Sequence, residues 1–155
     1  MKAPPHIIRV RRSEPVVWII DSEQWPRACL RAELIERGYD ACGFVELKDA
    51  VDALSRRTVQ RPAAVILELR GQHLTRELLK AIRSLEVPTI LLGGATELND
   101  ALVQEYSWDA VLRRPISLGS IADLVQKFVP EKKTRGPKQE RKRSPGDLPQ
   151  EGGNA

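Results

Sequence analysis

Five short apolar runs alternate along the chain with segments in which apolar residues recur every three or four positions. The run between Pro62 and Gly71 is apolar at consecutive positions and reaches a carboxylate at Glu68. Such a run is typical of a central parallel strand that helices cover on both faces. The pattern predicts strands at residues 15–20, 39–45, 63–70, 89–92 and 109–112.

Helical periodicity fills the intervals between these strands. Ser22 and Ser117 precede the first and last periodic segments, where a hydroxyl is a good N-cap. Strands that alternate with helices imply a parallel sheet with right-handed crossovers. We therefore predict a three-layer α/β sandwich around a five-stranded parallel sheet. The predicted helices span about residues 23–37, 47–57, 74–85, 98–105 and 117–128.

Charge divides the chain into three parts. Residues 1–13 hold four basic and no acidic groups, and residues 131–155 hold seven basic and four acidic groups, so residues 14–130 carry a net −3. The basic character therefore belongs to the ends, and it does not mark the globular part as a nucleic-acid-binding fold. We predict a basic leader (1–14), one domain (15–130) and, because apolar residues are scarce there, a disordered tail (131–155). The tail's main basic residues are Lys132, Lys133, Arg135, Arg141, Lys142 and Arg143.

Several classes of protein are disfavoured by what the sequence lacks. No apolar run approaches the roughly 18 residues of a membrane helix, and the amino end lacks the pattern of a signal peptide. We therefore expect a cytoplasmic protein that does not contact a membrane. No nucleophile–base arrangement, phosphate-binding loop or metal-ligand spacing is present, so we expect neither an enzyme nor a bound cofactor.

Three signatures occur in a fixed order: Ile-Ile-Asp-Ser-Glu at 19–23, Val-Ile-Leu-Glu-Leu-Arg-Gly at 65–71 and Leu-Arg-Arg-Pro-Ile-Ser at 112–117. With the order of elements, they resemble the receiver domain of bacterial two-component response regulators across about residues 15–130, which implies a flavodoxin-like fold. In that family, acidic residues after strand one bind magnesium and strand three ends in a phosphoacceptor aspartate. Strand four ends in serine or threonine, and strand five in a lysine before a cis proline. The corresponding residues here are Asp21, Ser22, Glu23, Glu68, Gly93, Arg114 and Pro115.

The departures from the family pattern fall on the residues that carry its chemistry. Phosphoryl transfer to a carboxylate requires a nucleophile, a divalent metal and a neutralising cation. Glu68 is one methylene longer than aspartate, Ser22 replaces an acidic ligand, and Gly93 has no hydroxyl. Arg114 should pair with Glu68, and this pair either imitates the phosphorylated state or only keeps an acidic pocket folded. The second interpretation is favoured, because the residues of the family's switch are also changed.

The resemblance also implies a surface for partners. Receiver-like domains often dimerise or bind partners through the face made by the fourth helix, the fifth strand and the last helix. Val111 takes the place where many receivers have an aromatic switch residue. The side chains that we predict for this face are Leu98, Leu102, Trp108 and Val111.

Three functional hypotheses follow. The leading one is a stand-alone, atypical receiver domain that acts as a protein-interaction module in signal transduction, with a histidine kinase, another regulator or a second copy as its partner. The second is a divergent receiver that still accepts phosphate or binds magnesium, for which Asp21, Glu23 and Glu68 are weak candidate ligands. The third is a nucleic-acid-binding protein that works through its basic tail, although a merely solubilising tail has equal weight.

Overall fold

The computed structural model describes residues 14–130, which form five strands and six helical segments. The residues of the predicted leader before position 14, and the whole predicted tail, lie outside the described residues. The strands are β1 (Val16–Ile20), β2 (Asp40–Phe44), β3 (Ala64–Glu68), β4 (Thr89–Gly93) and β5 (Ala110–Arg113). The helices are α1 (Gln24–Glu36), α2 (Leu47–Ser55), α3 (Arg76–Arg83), α4 (Ala95–Leu98), α5 (Ala101–Gln104) and α6 (Leu118–Phe128).

All neighbouring strands of the sheet are parallel, in the order β2-β1-β3-β4-β5. The chain first moves outward from β1 to β2 and then crosses back to β3, so the strand order reverses between β1 and β3. In open α/β sheets the functional crevice lies outside the carboxyl ends of the strands at this point of reversal. The register pairs Ile20 with Leu67, which brings Asp21 and Glu68 to the same edge.

Two apolar layers cover the sheet, and this explains why its strands are apolar at consecutive positions. Side chains point to alternate faces along a strand, so neighbouring residues enter different layers. In β1, Trp18 packs with Leu67 and Leu79 on one face, while Ile19 packs with Val125 on the other. The predicted five-stranded parallel sandwich is therefore confirmed.

The predicted helix at residues 98–105 is instead two short helices. The Asp100 carboxylate accepts hydrogen bonds from the backbone N–H groups of Leu102 and Val103, which starts a new helix at that point. A side chain that bonds to nearby backbone in this way competes with a continuous helix. The periodic apolar positions extended across the break, so periodicity alone did not reveal it.

The predicted cap of the first helix is also wrong. The N-cap of α1 is Glu23, and no side chain caps it. The Ser22 hydroxyl is turned away and donates a hydrogen bond to the carbonyl oxygen of Arg70, 2.9 Å away. Ser117, in contrast, caps α6 as predicted, because its hydroxyl accepts from the backbone N–H of Ser120. Within residues 14–130, no helix has the length and apolar character needed to cross a bilayer.

Candidate functional site

The carboxyl edge of the sheet brings together all seven residues that the sequence predicted for the pocket. Asp21 follows β1, Glu68 ends β3 and Gly93 ends β4, so three strands deliver them to one edge. Arg114 follows β5 and reaches across to β3. The peptide bond between Arg114 and Pro115 is cis, as the family resemblance implies.

Glu68 lies at the centre of this pocket, with a side chain that is only 4% exposed. Its Oε2 atom accepts a hydrogen bond from Nη1 of Arg114. The same atom accepts a second hydrogen bond from the backbone N–H of Arg70, 3.0 Å away. The predicted Glu68–Arg114 ion pair is therefore present, and the backbone of the following loop reinforces it.

Arg114 contacts two carboxylates and not one. Its Nη2 atom donates to Oε1 of Glu97 over 2.8 Å, and the same oxygen accepts from the backbone N–H of Gly94 over 2.7 Å. The Gly94 N–H and then the Arg114 guanidinium lower the pKa of Glu97, although partial burial opposes them. Burial acts to lower the pKa of Arg114, but its bonds to Glu68 and Glu97 outweigh this and raise that pKa.

Arg70 is a second guanidinium in the pocket, and the sequence analysis missed it. Its Nη2 atom lies 3.4 Å from Oδ1 of Asp21 and 4.0 Å from Oε1 of Glu68. Its Nε atom lies 3.2 Å from Oε2 of Glu23. One side chain thus contacts all three carboxylates that the sequence offered as weak metal ligands. The available signal was an arginine two positions after the buried acidic residue, where the chain leaves the strand at the pocket edge.

The loop that carries Arg70 is held close to the first strand. The Ser22 hydroxyl bonds to the Arg70 carbonyl, and the next residue, Gly71, has a φ of +72°. A Cβ atom at Gly71 would lie 2.5 Å from Oγ of Ser22, so only glycine allows this approach. Ser22 therefore holds the loop that carries Arg70 close to β1. Its hydroxyl has no negative charge, so Ser22 does not supply the carboxylate that the family has at this place.

The residues of this pocket do not fit a magnesium ion. Magnesium requires near-octahedral oxygen ligands at about 2.0–2.1 Å. Here the three carboxylates are directed at the Arg70 guanidinium, and Oδ1 of Asp21 also accepts from the backbone N–H of Glu23 over 2.9 Å. In the described range 14–130, no group of three or more His, Cys, Asp or Glu side chains is arranged to hold a metal ion.

Gly93 has a packing role in the position where the family has a hydroxyl. A Cβ atom there would meet side-chain carbons of Leu69 and Leu98 at 3.3 Å. These contacts are tighter than ordinary van der Waals distances, so a serine or threonine would need its neighbours to move. The close approach of Leu69 and Leu98 therefore disfavours any side chain at this position, including one that carries a hydroxyl.

Three of the four side chains predicted for the partner face line one shallow groove beside β5. Leu98, Trp108 and Val111 contribute to a groove of about 290 Å³, and Val111 is 51% exposed. The ring of Trp108 packs against Tyr106 and lies under the Arg83 guanidinium, 5.3 Å from it. Leu102 lines a separate groove next to His73. Three of the four predicted residues therefore lie together in one groove, and Leu102 lies in another.

Comparisons with solved structures agree on the fold. A response regulator receiver protein from Pseudomonas putida has a TM-score of 0.62 and 26% identity, and the match covers 76% of this chain and 99% of that one. The N-terminal domain of a response regulator/sensory box/GGDEF protein from Carboxydothermus hydrogenoformans also has a TM-score of 0.62, with 14% identity, 73% of this chain and 92% of that one. The chain has the receiver fold.

A third match is a response regulator from Thermotoga maritima, TrrA, in complex with Mg²⁺ and BeF. Its TM-score is 0.60 at 19% identity, over 74% of this chain and 99% of that one. No protein-family model and no curated protein matches the sequence. The receiver fold is thus shared with these structures.

Proposed function

We propose that this protein is an atypical receiver domain of bacterial two-component signalling that acts as a protein-interaction module in the cytoplasm, without phosphorylation at the usual acceptor position. One observation carries the proposal: Arg70 and Arg114 already neutralise the acidic pocket from within. A receiver that works by phosphorylation needs an open acidic pocket for a metal and a phosphoryl group. This pocket has an internal cation in contact with each carboxylate.

The state of Glu68 supports the loss of phosphoryl transfer. A carboxylate attacks phosphorus through an oxygen lone pair, and a cation must also neutralise the phosphoryl oxygens. Oε2 of Glu68 accepts two hydrogen bonds, and Oε1 faces the Arg70 guanidinium. Attack would therefore require Glu68, whose side chain is nearly buried, to leave both arginines.

The Glu68–Arg114 pair is proposed to be structural and not an imitation of phosphorylation. An imitation should move a switch residue on the output face, and Val111 has no aromatic ring to move. Arg114 also forms ion pairs with both Glu68 and Glu97. It therefore links β3, β5 and α4 to one another. The domain then presents a single fixed surface to its partner.

The surface that we propose for the partner is the groove formed by Leu98, Trp108 and Val111. Val111 exposes an apolar side chain on β5, which is an edge strand with a neighbour on one side only among the described strands. Exposed apolar groups beside a sheet edge favour contact with another protein. A second copy, another regulator or a histidine kinase would each fit this description.

Phosphorylation is tested with acetyl phosphate and magnesium, followed by intact-mass measurement. We expect no added phosphoryl group, and no magnesium-dependent change in tryptophan fluorescence with beryllofluoride. The Thermotoga maritima regulator TrrA, whose structure contains Mg²⁺ and BeF, serves as the positive control for the reagents. An acid-labile phosphoryl group on Glu68, or saturable binding of beryllofluoride, would show that this part of the proposal is wrong.

The partner surface is tested by Val111→Glu, with Val45→Glu as the matched control. Val45 is 45% exposed and follows β2, at the opposite side of the sheet. If the protein pairs with itself through the groove, Val111→Glu should lower the average mass measured by light scattering, and Val45→Glu should leave it unchanged. If the wild-type protein is monomeric at every concentration, the homodimer hypothesis is excluded and the partner must be a different protein.

A further inference from the structure

Strand β5, at one lateral side of the sheet, has backbone groups that face outward without a partner. The N–H of Arg114 donates to the Gly93 carbonyl over 2.9 Å, and a group two residues earlier in a strand points the same way, so the N–H and C=O of Leu112 face β4. These groups alternate in direction along a strand, so those of Val111 and Arg113 face away from β4. Within residues 14–130, no hydrogen bond reaches them there.

The strand at the other lateral side, β2, is partly covered. Arg31 of α1 donates from its Nε atom to the carbonyl oxygen of Ala41, 2.9 Å away. The neighbouring Asp40 is turned toward β1, since its N–H donates to the Pro15 carbonyl, so the covered carbonyl faces outward. A side chain in this place hinders pairing with another chain. No described side chain bonds to the outward backbone of β5 in this way.

The side chains on one face of β5 combine an apolar group with two charges. Val111 is 51% exposed and lines the groove beside Leu98 and Trp108. Asp109 and Arg113, two positions before and after it, lie on the same face because side chains alternate along a strand. Arg113 is exposed and forms no ion pair with another described residue.

We propose that two copies of this protein pair through β5, antiparallel about a two-fold axis at Val111, and join their five-stranded sheets into one continuous sheet. The proposal rests on the partner surface proposed above, and it names both the occupant, a second copy, and the contact, the outer backbone of β5. A strand added to an exposed sheet edge gains affinity from main-chain hydrogen bonds. A two-fold axis makes every such contact occur twice.

The sequence of β5 is complementary to itself in this register. Val111 lies opposite Val111 of the second copy, and the two residues exchange their outward N–H···O bonds. Asp109 lies opposite Arg113 of the second copy, so unlike charges face each other across the strands. A charge on an edge strand by itself discourages pairing, but here it meets the opposite charge that it lacks within one copy. A register centred on Leu112 would instead set Val111 against Arg113.

Asp109 has a free oxygen for this contact. Its Oδ2 atom accepts from the Thr89 N–H over 2.8 Å and lies 3.5 Å from Nη1 of Arg83. Its Oδ1 atom accepts no hydrogen bond from a described residue, and the side chain is 37% exposed. The contacts within one copy therefore fix the carboxylate and leave one of its oxygens to the partner.

Backbone pairing is tested by amide hydrogen exchange of the full-length protein, measured by NMR at concentrations where light scattering shows monomer and dimer. We expect the exchange of the Val111 N–H to slow by at least about 10-fold in the dimer, because the pairing protects it. The Leu112 N–H faces β4 in each copy and should exchange slowly at both concentrations. A dimer in which the Val111 N–H exchanges as fast as in the monomer would be held by side chains and would overturn the proposal.

A protein that stays monomeric at every concentration would also overturn the pairing. That result would leave the proposed function standing with a different protein as the partner, because the loss of phosphorylation is tested separately with acetyl phosphate. Phosphorylation of a protein that does pair through β5 would do the reverse. The two failures are therefore distinguishable.

The register is tested by oxidation of Val111→Cys and, separately, of Arg113→Cys. Residues of a directly opposite hydrogen-bonded pair have Cα atoms about 5.5 Å apart, a distance that a disulfide spans. The two copies of position 113 would be about 14 Å apart. We expect Val111→Cys to form a linked dimer and Arg113→Cys to remain at the background set by Cys29 and Cys42 in the wild type. Equal cross-linking of the two variants would overturn the register.

The charge pair is tested by Arg113→Glu, which sets a carboxylate opposite Asp109 at two places in the dimer. We expect the dissociation constant of the dimer to rise by at least about 10-fold, because like charges directly opposite each other are unfavourable. Lys80→Glu makes the same change of net charge at an exposed position of α3, and it should pair as the wild type does. Equal weakening in both variants would mean that net charge and not this register controls pairing, which would overturn the proposed charge pair.

Discussion

The two edges of the sheet use arginine in opposite ways. At the carboxyl edge, Arg70 and Arg114 lie among four carboxylates and are only about a quarter exposed. At the amino edge, Arg56 and Arg57 are exposed and form no ion pair within residues 14–130. Charge that is satisfied inside a pocket contributes to the stability of one arrangement, whereas exposed charge is available to a partner.

The contrast also shows how the acidic carboxyl edge is neutralised. Asp21, Glu23 and Glu68 are all acidic. The cations that contact them, Arg70 and Arg114, come from the chain itself. An internal guanidinium is always present, while a bound metal depends on its concentration. The positive charge of the pocket therefore does not depend on the concentration of a metal ion.

The largest effect should come from removing the central carboxylate. Glu68→Ala leaves Arg70 and Arg114 partly buried beside an empty volume, and we expect the free energy of unfolding to fall by about 2–3 kcal/mol. Urea unfolding at pH 7 measures this change. Asp52→Ala, which breaks an exposed surface pair with Lys48, is the control and should have little effect. Equal changes in the two variants would mean that the pocket pairs are no different from surface pairs.

A smaller change in stability, with a clear change in metal response, is expected from Arg70→Ala. The ion pairs of Arg70 are long and partly exposed, so their loss should cost about 1 kcal/mol. The melting temperature of the wild type should not respond to about 10 mM Mg²⁺, whereas the variant should be stabilised because Asp21 and Glu23 lose their cation and Glu68 keeps only Arg114. Arg76→Ala, at an exposed pair with Glu105, controls for loss of an arginine. A wild type stabilised by Mg²⁺ would contradict the internal-cation interpretation.

The pH dependence of Glu97 gives a third test of the carboxyl edge. Because the folded protein holds the pKa of Glu97 below its ordinary value of 4.5, its ionised form contributes stability above that value. This contribution is lost as the pH falls through the lower, folded pKa. Glu97→Gln should therefore be less stable than the wild type at pH 7, by about 0.5–1 kcal/mol. The difference should shrink when both proteins are unfolded in urea at pH values below 4.5, and a constant difference would exclude the charge as its cause.

The smallest change in stability should come from the amino edge. Arg57→Asn places a residue that tolerates the left-handed region at a φ of +61°, so stability should be unchanged or rise by a few tenths of a kcal/mol, about 0.5 at most. Thermal unfolding of the two proteins measures this change. A variant that loses stability would show that the Arg57 side chain supports the fold.

The sequence by itself determined the architecture, because the relevant information is local. Consecutive apolar residues such as Trp18 and Ile19 require burial on both faces of a strand, and the helical spacing from Leu74 to Leu85 defines the covering layer. Placing Glu68 at the carboxyl edge followed from the rule that sites in open α/β sheets lie at the carboxyl ends of the strands. The positions of Asp21 and Arg114, and the pairing of Arg114 with Glu68, were implied by the resemblance to receiver domains.

Only the tertiary structure decided which further charges meet in the pocket. Arg70 and Glu97 lie on segments after β3 and β4, and the direction of such segments depends on close contacts such as that between Gly71 and Ser22. The break at Asp100 likewise depended on a side-chain bond that competes with helix continuation. The meeting of Glu14 and Pro130 in one groove depends on how β1 and α6 pack. The periodicity of apolar residues specifies the helices and strands and their order along the chain. The position of a charged side chain on a loop is set instead by the packing of residues that are distant in the sequence.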